Sequence, residues 1–265
     1  MKRHFISIAF MLSTICCSKI ILFSPNPDEI RARKDFDWVE ERSHDRKFAF
    51  LYEKGTLNNS DSEARNRAVH AYLKMSFDFI EEPDRGESYT YIIVSSSARM
   101  KELIGYSPQG TAFPGRNLIL GEPEVLQVAH ELSHVVSIRC WGDSDAWIKE
   151  GFAVAVDNQW FDNDLYALTK YLYSTGEFIH LSDLMHNFRK CDSLITYPES
   201  GCFIKYIKES YGIEKLHALW KYGPSRIPEI FNRSLPELER DWLDRVAQAD
   251  TTGIKYKTRN QPPAA

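Results

Sequence analysis

Two histidines and a glutamate interrupt an apolar stretch in the middle of the chain. The sequence VLQVAHELSHVVSIRC, residues 125–140, places His130 and His134 four positions apart, with Glu131 directly after the first histidine. On a helix, residues four apart share one face with Cβ atoms about 5–6 Å apart, so both imidazoles can reach one ion. Glu131 lies about 100° around the helix, where it can contact a water on that ion. The H-E-x-x-H spacing therefore predicts two Zn²⁺ ligands, His130 and His134, and a general base, Glu131.

The competing interpretation is a pair of core histidines satisfied by hydrogen bonds. That interpretation must also explain why Glu131 stands beside them in an apolar segment. Buried carboxylates are rare unless they are paired or bound to a metal. The glutamate therefore favours the metal interpretation.

A catalytic zinc ion takes three protein ligands and leaves one position open for water. Glu150, in DAWIKEGFAVAV, follows the short turn WGDSD, so two adjacent antiparallel helices would bring it to the histidines. Gly151, Ala153 and Ala155 surround it, and small residues let two helices approach closely. The sequence predicts Glu150 as the third ligand, against the alternative of a solvated helix glutamate. Weaker alternatives as ligands are Asp143, Asp145 and Asp157.

Three segments together carry a family resemblance: AHELSHVV, AWIKEGFAVAV and YPESGCFIKYIKESYGIEKLHALW. They resemble the peptidase MA-like group of gluzincin zinc metallopeptidases, over roughly residues 120–245 and more loosely before them. The resemblance implies a zincin-like fold and peptide-bond hydrolysis. It also implies zinc bound by His130, His134 and Glu150, with Glu131 as the base.

Peptide hydrolysis at such a site needs a further hydrogen-bond donor for the tetrahedral oxyanion. Tyr197 is the first candidate, because it falls at the helix start that follows the site in the related domains. His180 and Tyr206 are the alternatives, and packing is the competing role for each of the three. The sequence departs from the thermolysin-like pattern at Val154, where an acidic residue would support a ligand histidine. The sequence therefore assigns no supporting hydrogen-bond partner to either ligand histidine.

The elements that must position these residues divide the chain in two. Strands are predicted over 47–56, 88–97 and 115–123, and helices over 60–82 and 98–104. From residue 123 onward the patterns are helical. The fold class is therefore α+β and zincin-like: an N-terminal mixed β-sheet with helices, followed by a mostly helical C-terminal part. The strand at 117–120 is expected to lie beside the cleft, where an extended peptide could pair with it.

The predicted domain boundaries follow these patterns. They are an N-terminal signal peptide or anchor at 1–22, an α/β subdomain at 28–121, a helical zinc-site subdomain at 122–250, and a disordered tail at 251–265.

The N-terminal segment MKRHFISIAFMLSTICCSKIILF indicates export. Lys2 and Arg3 precede an apolar run from Phe5 to Cys17, as in a secretory signal. A lipoprotein acylated at Cys16 or Cys17, and an uncleaved membrane anchor, are the alternatives. The protein is therefore expected to be secreted, periplasmic or envelope-attached.

The remaining cysteines are Cys140, Cys191 and Cys202. They allow either one bridge, with Cys191–Cys202 closing a short loop, or free buried thiols.

Composition and charge narrow the partners. The 265-residue chain has a net charge of −4, and its lysines and arginines are scattered. They form no basic patch of the kind that a nucleic-acid surface needs, and the peptidase resemblance implies a peptide or protein substrate. No Gly-rich exopeptidase loop is evident, which favours an endopeptidase.

The second hypothesis is a non-catalytic, envelope-located protein-binding module on the same scaffold. Glu131 favours the enzyme, because a purely structural zinc site is closed by four protein ligands and needs no base.

Overall fold

The structure is a computed structural model that describes residues 25–57, 62–108, 110–123 and 128–258. A mixed sheet is built from β1 (Trp38–Arg42), β2 (Phe48–Glu53), β3 (Tyr89–Ile93), β4 (Gly110–Phe113) and β5 (Leu118–Gly121). Helices α1 (Pro27–Arg31), α2 (Ser62–Ile80) and α3 (Ser97–Ile104) accompany it. The predicted signal or anchor at 1–22 lies outside the described residues.

The C-terminal part is mainly helical. It consists of α4 (Val128–Trp141), α5 (Ala146–Asp157), α6 (Leu165–Ser174), α7 (Leu181–Asn187), α8 (Ser193–Tyr222), α9 (Ile227–Phe231) and α10 (Leu235–Val246). A small hairpin of β6 (Gln159–Trp160) and β7 (Asn163–Asp164) separates α5 from α6. The predicted α+β class, a mixed sheet followed by helices, is confirmed at this level.

The strand order is β1-β2-β3-β5-β4. Strands β2, β3 and β5 run parallel, while β1 and β4 are antiparallel to their neighbours. The prediction that an extended peptide could pair with the strand at 117–120 is wrong, because β5 has a hydrogen-bonded strand on both sides. The edge strand on this side of the sheet is β4, which was not predicted from the sequence.

Side chains alternate between the two faces of the sheet, as strand geometry requires. One face packs into the main core with α2, α4 and α5 through Phe48, Phe50, Tyr52, Tyr89, Tyr91, Ile93 and Ile119. The opposite face packs on α1 and α3 through Leu51, Ile92, Val94, Leu118 and Leu120. The first face therefore positions the helices that carry the predicted site.

Helix α5 is buried along most of its length, between α4 and α8. A Cβ on Gly151 would meet the backbone of Ser200 at 2.8 Å, and a Cβ on Gly201 would collide with the Val154 side chain. The close approach that the small residues permit is therefore between α5 and α8. The sequence predicts it between α5 and α4, the helix that carries the histidines.

The C-terminal tail differs from the prediction. Residues 251–258 pack against the helices, where a disordered tail was predicted from residue 251. Tyr256 is buried in a small apolar cluster with Leu168, Leu172 and Ile195. A single buried aromatic residue in a polar segment gives no periodic signal, so the sequence could not indicate this docking. Residues 259–265 lie outside the described part of the chain.

Cys140, Cys191 and Cys202 are free thiols, which agrees with the second of the two alternatives. Cys202 is fully buried on α8 and accepts a hydrogen bond from Trp242 Nε1 at 3.4 Å. Among the described residues, no helix is both long and apolar enough to cross a membrane.

Candidate metal centre

Helix α4 turns one face to the sheet and another to α5. Leu132, Val135 and Val136 are buried in the main core on the sheet side. The helix ends at Gly142, whose positive φ of 83° suits a glycine and whose N–H donates to Ile138 O at 2.9 Å.

The turn from α4 to α5 is fastened to the end of α8. Trp220 Nε1 donates to Gly142 O at 3.0 Å, and Ser144 Oγ donates to Trp220 O at 2.7 Å. Asp145 then begins α5 as its N-cap residue. Because the turn is short and held at both ends, α5 returns along α4 and brings Glu150 level with the histidines.

The three predicted ligands converge. Glu150 Oε2 lies 3.0 Å from His130 Nε2 and 3.3 Å from His134 Nε2, and the two Nε2 atoms are 3.1 Å apart. A search of the described residues for three or more histidine, cysteine or acidic side chains that could share one metal ion finds these three. The side chains are between 12% and 17% exposed, so the cluster is mostly buried yet reachable from solvent.

These distances fit a zinc ion. Four ligands placed tetrahedrally at about 2.0–2.1 Å from zinc lie roughly 3.3 Å from one another. The three observed separations, 3.0 to 3.3 Å, are close to that value. The two Nε2 atoms lie close to each other and to the same carboxylate oxygen, so the lone pairs of all three atoms could point at one cation. The donor set therefore suits a divalent metal with an open fourth position.

Glu131 lies on another side of α4, against the edge of the sheet. Its side chain packs on β4, where a Cβ on Gly110 would sit 2.9 Å from Glu131 Oε1. Burial raises the pKa of Glu131 to about 7; attraction to His130 opposes the rise and repulsion from Glu150 adds to it. A carboxyl group with this pKa can both accept and release a proton near neutral pH.

The pKa of Glu150 shifts in the opposite direction. Burial acts to raise its pKa, but attraction to His134 and hydrogen bonds from both imidazoles outweigh burial and lower the pKa well below its ordinary value. The charged form is the one that a cation requires. The two glutamates thus differ in protonation, which suits a base and a ligand respectively.

Position 154, where the thermolysin-like pattern has an acidic residue, is used for packing. Val154 is buried against Gly201 of α8. His134 Nδ1 is buried, and the described residues offer it no hydrogen-bond partner. Asp157, seven residues after Glu150 on the same face of α5, interacts electrostatically with His130 and has a pKa raised by burial. The sequence analysis weighed Asp157 only as a possible ligand.

Among the oxyanion candidates, Tyr197 lies nearest to the cluster. Its ring is 6.3 Å from the ring of His130, in a stacked orientation. His180 is exposed and contacts Glu239 at 3.3 Å, while Tyr206 is buried against Phe203 and Tyr211. The structure therefore brings Tyr197 beside the histidines and shows His180 and Tyr206 with other partners.

The two other alternative ligands also lie elsewhere. Asp143 pairs with Lys149, and Asp145 faces Gly223 at the N-terminal end of α5.

Comparisons with known proteins give little further information. No protein-family description and no curated protein matches the chain. Among solved structures, yeast LTA4 hydrolase in complex with bestatin is similar at 15% identity and a TM-score of 0.44. The match covers 85% of this chain, which spans 40% of that protein's length.

Proposed function

We propose that this protein is a zinc-dependent peptidase with a gluzincin-type site on a zincin-like fold. The observation that supports the proposal most directly is the convergence of His130, His134 and Glu150, with Glu131 buried directly beside them. The spacing of these residues in the sequence and their distances in space agree with the same donor set.

Each residue has a role that its surroundings support. Zinc, when bound, polarises the scissile carbonyl and makes water more acidic. His130, His134 and Glu150 would hold it through the three atoms that already face one another. Glu131 accepts a proton from the attacking water and delivers it to the leaving amine. Tyr197, next to His130, would donate its hydroxyl hydrogen to the developing oxyanion.

The substrate and location are part of the same proposal. The substrate is a peptide or protein, and the enzyme is exported and either released or attached to the envelope through its N-terminal segment. Oligomeric state is left open.

Metal binding is the first experiment. The purified chain, stripped with a chelator and titrated with zinc, should bind about one ion by the one-site geometry above. Glu150→Ala should lower zinc affinity by at least about a hundredfold, since it leaves only two protein ligands. Asp143→Ala, which removes a carboxylate from the neighbouring turn, is the matched control and should bind as the parent does. A parent chain that takes up no zinc at neutral pH contradicts the proposal.

Hydrolysis is the second experiment. A broad peptide library incubated with the zinc-loaded protein should be cleaved, and removal of zinc should stop cleavage. Zinc binding without cleavage of any library member or of unfolded protein would overturn the peptidase assignment and leave a metal-binding module.

A further inference from the structure

A continuous row of aromatic rings leads away from the candidate metal centre. The ring of His130 is 6.3 Å from that of Tyr197, which is 5.7 Å from Trp160, which in turn is 5.2 Å from Phe161. Phe188 packs on Tyr197 at 5.3 Å. The row begins at a predicted ligand and ends on the protein surface, because Phe161 is 48% exposed.

Phe161 is in an unfavourable position for a phenylalanine. It forms the two-residue loop of the β6–β7 hairpin with Asp162, and both have positive φ, 48° and 61°. Such loops favour Asn-Gly or Asp-Gly, because bulky side chains rarely adopt left-handed backbone angles. The ring also gains little from burial. The ring contacts those of Trp160 and Tyr256 at 5.2 and 6.2 Å, yet 48% of Phe161 stays exposed, so the ring is accessible to a ligand.

The hairpin is held firmly, so the rings form a fixed surface. Asn163 Nδ2 donates to the carbonyl oxygens of Trp160 and Phe161 at 3.1 and 2.7 Å. Trp160 Nε1 donates to the Tyr256 hydroxyl at 2.8 Å, and that hydroxyl donates to Leu194 O. A rigid aromatic surface binds apolar groups with little loss of conformational entropy.

We propose that Tyr197, Trp160 and Phe161 form a wall that binds substrate side chains, and that Phe161 selects a large apolar or aromatic residue. This inference rests on the proposed peptidase function and names its substrate class. An extended chain rises about 3.3 Å per residue, so the three steps from His130 to Phe161 take at most about five residues. The selected residue therefore lies up to about five positions from the cleaved bond, and the substrate is an extended polypeptide rather than a dipeptide.

Binding tests the wall without depending on turnover. The probe is a set of nine-residue peptides of alanine and serine, with one phenylalanine moved through the positions, titrated against the zinc-loaded Glu131→Gln protein. One phenylalanine position should bind about threefold to tenfold more tightly than the peptide without phenylalanine, as one added aromatic contact predicts. Phe161→Asn, which suits the left-handed backbone but removes the ring, should abolish that preference, and Phe161→Tyr should keep it.

Tyr222→Asn is the matched control, because Tyr222 is 57% exposed and lies near Asp145, at the other end of α5 from the hairpin. It should leave the preference unchanged. Equal binding of all the peptides, or a preference that survives Phe161→Asn, overturns the wall. A preference that depends on Phe161, in a protein whose zinc-loaded parent cuts no peptide, would support the wall and contradict the peptidase assignment.

Discussion

Two buried glutamates, Glu131 on α4 and Glu199 on α8, have similar electrostatics and different neighbours. Burial raises the pKa of both, to about 7 for Glu131 and well above the ordinary value for Glu199. Glu131 lies beside the convergent histidines. Glu199 accepts hydrogen bonds from Ile179 N at 3.2 and 3.3 Å and is repelled by Glu239.

The difference shows that a raised pKa does not by itself identify a catalytic group. Desolvation acts on any buried carboxyl, whatever its role. Glu131 interacts electrostatically with His130 and Glu150 of the candidate metal cluster, whereas Glu199 is fully buried and accepts hydrogen bonds from the chain before α7. We therefore expect Glu131 to control activity and Glu199 to control stability.

The largest expected effect is on catalysis. Glu131→Gln should lower kcat by about a thousandfold, because it removes the general base, while zinc affinity stays within about threefold. Glu199→Gln should leave kcat within about twofold. Both are measured on any peptide that the zinc-loaded parent cleaves. Comparable losses in the two variants would remove the distinction between the two glutamates.

A smaller loss of activity is expected from the strand that supports Glu131. A methyl group on Gly110 would lie 2.9 Å from Glu131 Oε1 and would push the carboxylate aside. Gly110→Ala should lower kcat about tenfold to a hundredfold, as misplacing a catalytic group by about 1 Å does. Gly115→Ala, where an added Cβ meets open space, is the control and should retain full activity. Wild-type turnover in Gly110→Ala would argue against Glu131 as the base.

A substitution at Gly201 on α8, which also has a close neighbour, should mainly lower stability. Gly201→Ala collides with Val154 and should lower the free energy of unfolding by about 1–3 kcal/mol, as overpacking does. Denaturant unfolding measures the change. Adding Val154→Ala makes room for the methyl group, so the double variant should lose less than the sum of the single losses. Additive losses would show that the two side chains do not share this contact.

The last expected effect is a pH dependence of stability. Burial raises the folded pKa of Glu199 well above its ordinary value, so its contribution to stability is complete below the unfolded pKa of about 4.3 and is lost as pH rises through the raised folded pKa. Glu199→Gln removes this loss. The unfolding free energy of Glu199→Gln minus that of the parent should therefore rise by up to about 1.4 kcal/mol per pH unit between the unfolded and the folded pKa of Glu199. Glu214→Gln, at an exposed position on α8, is the control variant, and a Glu199→Gln difference that stays constant from pH 5 to pH 8 would contradict the assignment.

The sequence predicted the ligand cluster because a helix fixes its own geometry. The four-residue spacing of His130 and His134 determines that they share a face, and the short turn determines that Glu150 returns to them. Local rules of this kind need no knowledge of the rest of the fold.

What the sequence did not reveal depends on distant pairing. The four residues of β4 carry no periodic pattern, so the sequence could not show that Gly110 packs against Glu131. The β6–β7 hairpin has two-residue strands and a Phe-Asp loop, which is not the usual turn signal. Glu199 stands in YPESGCF with no sign that its carboxyl group is buried, since α7 and α10 come to it from elsewhere in the chain.

The docked tail places a requirement on any shortened form of this protein. A chain that stops after α10 keeps His130, Glu131, His134 and Glu150, but it lacks the Tyr256 hydroxyl that fixes Trp160. Proteolytic trimming at the C-terminus would therefore leave the candidate metal ligands in place while loosening the wall that we propose binds substrate. Selectivity would then depend on how the chain ends, independently of the chemistry at its centre.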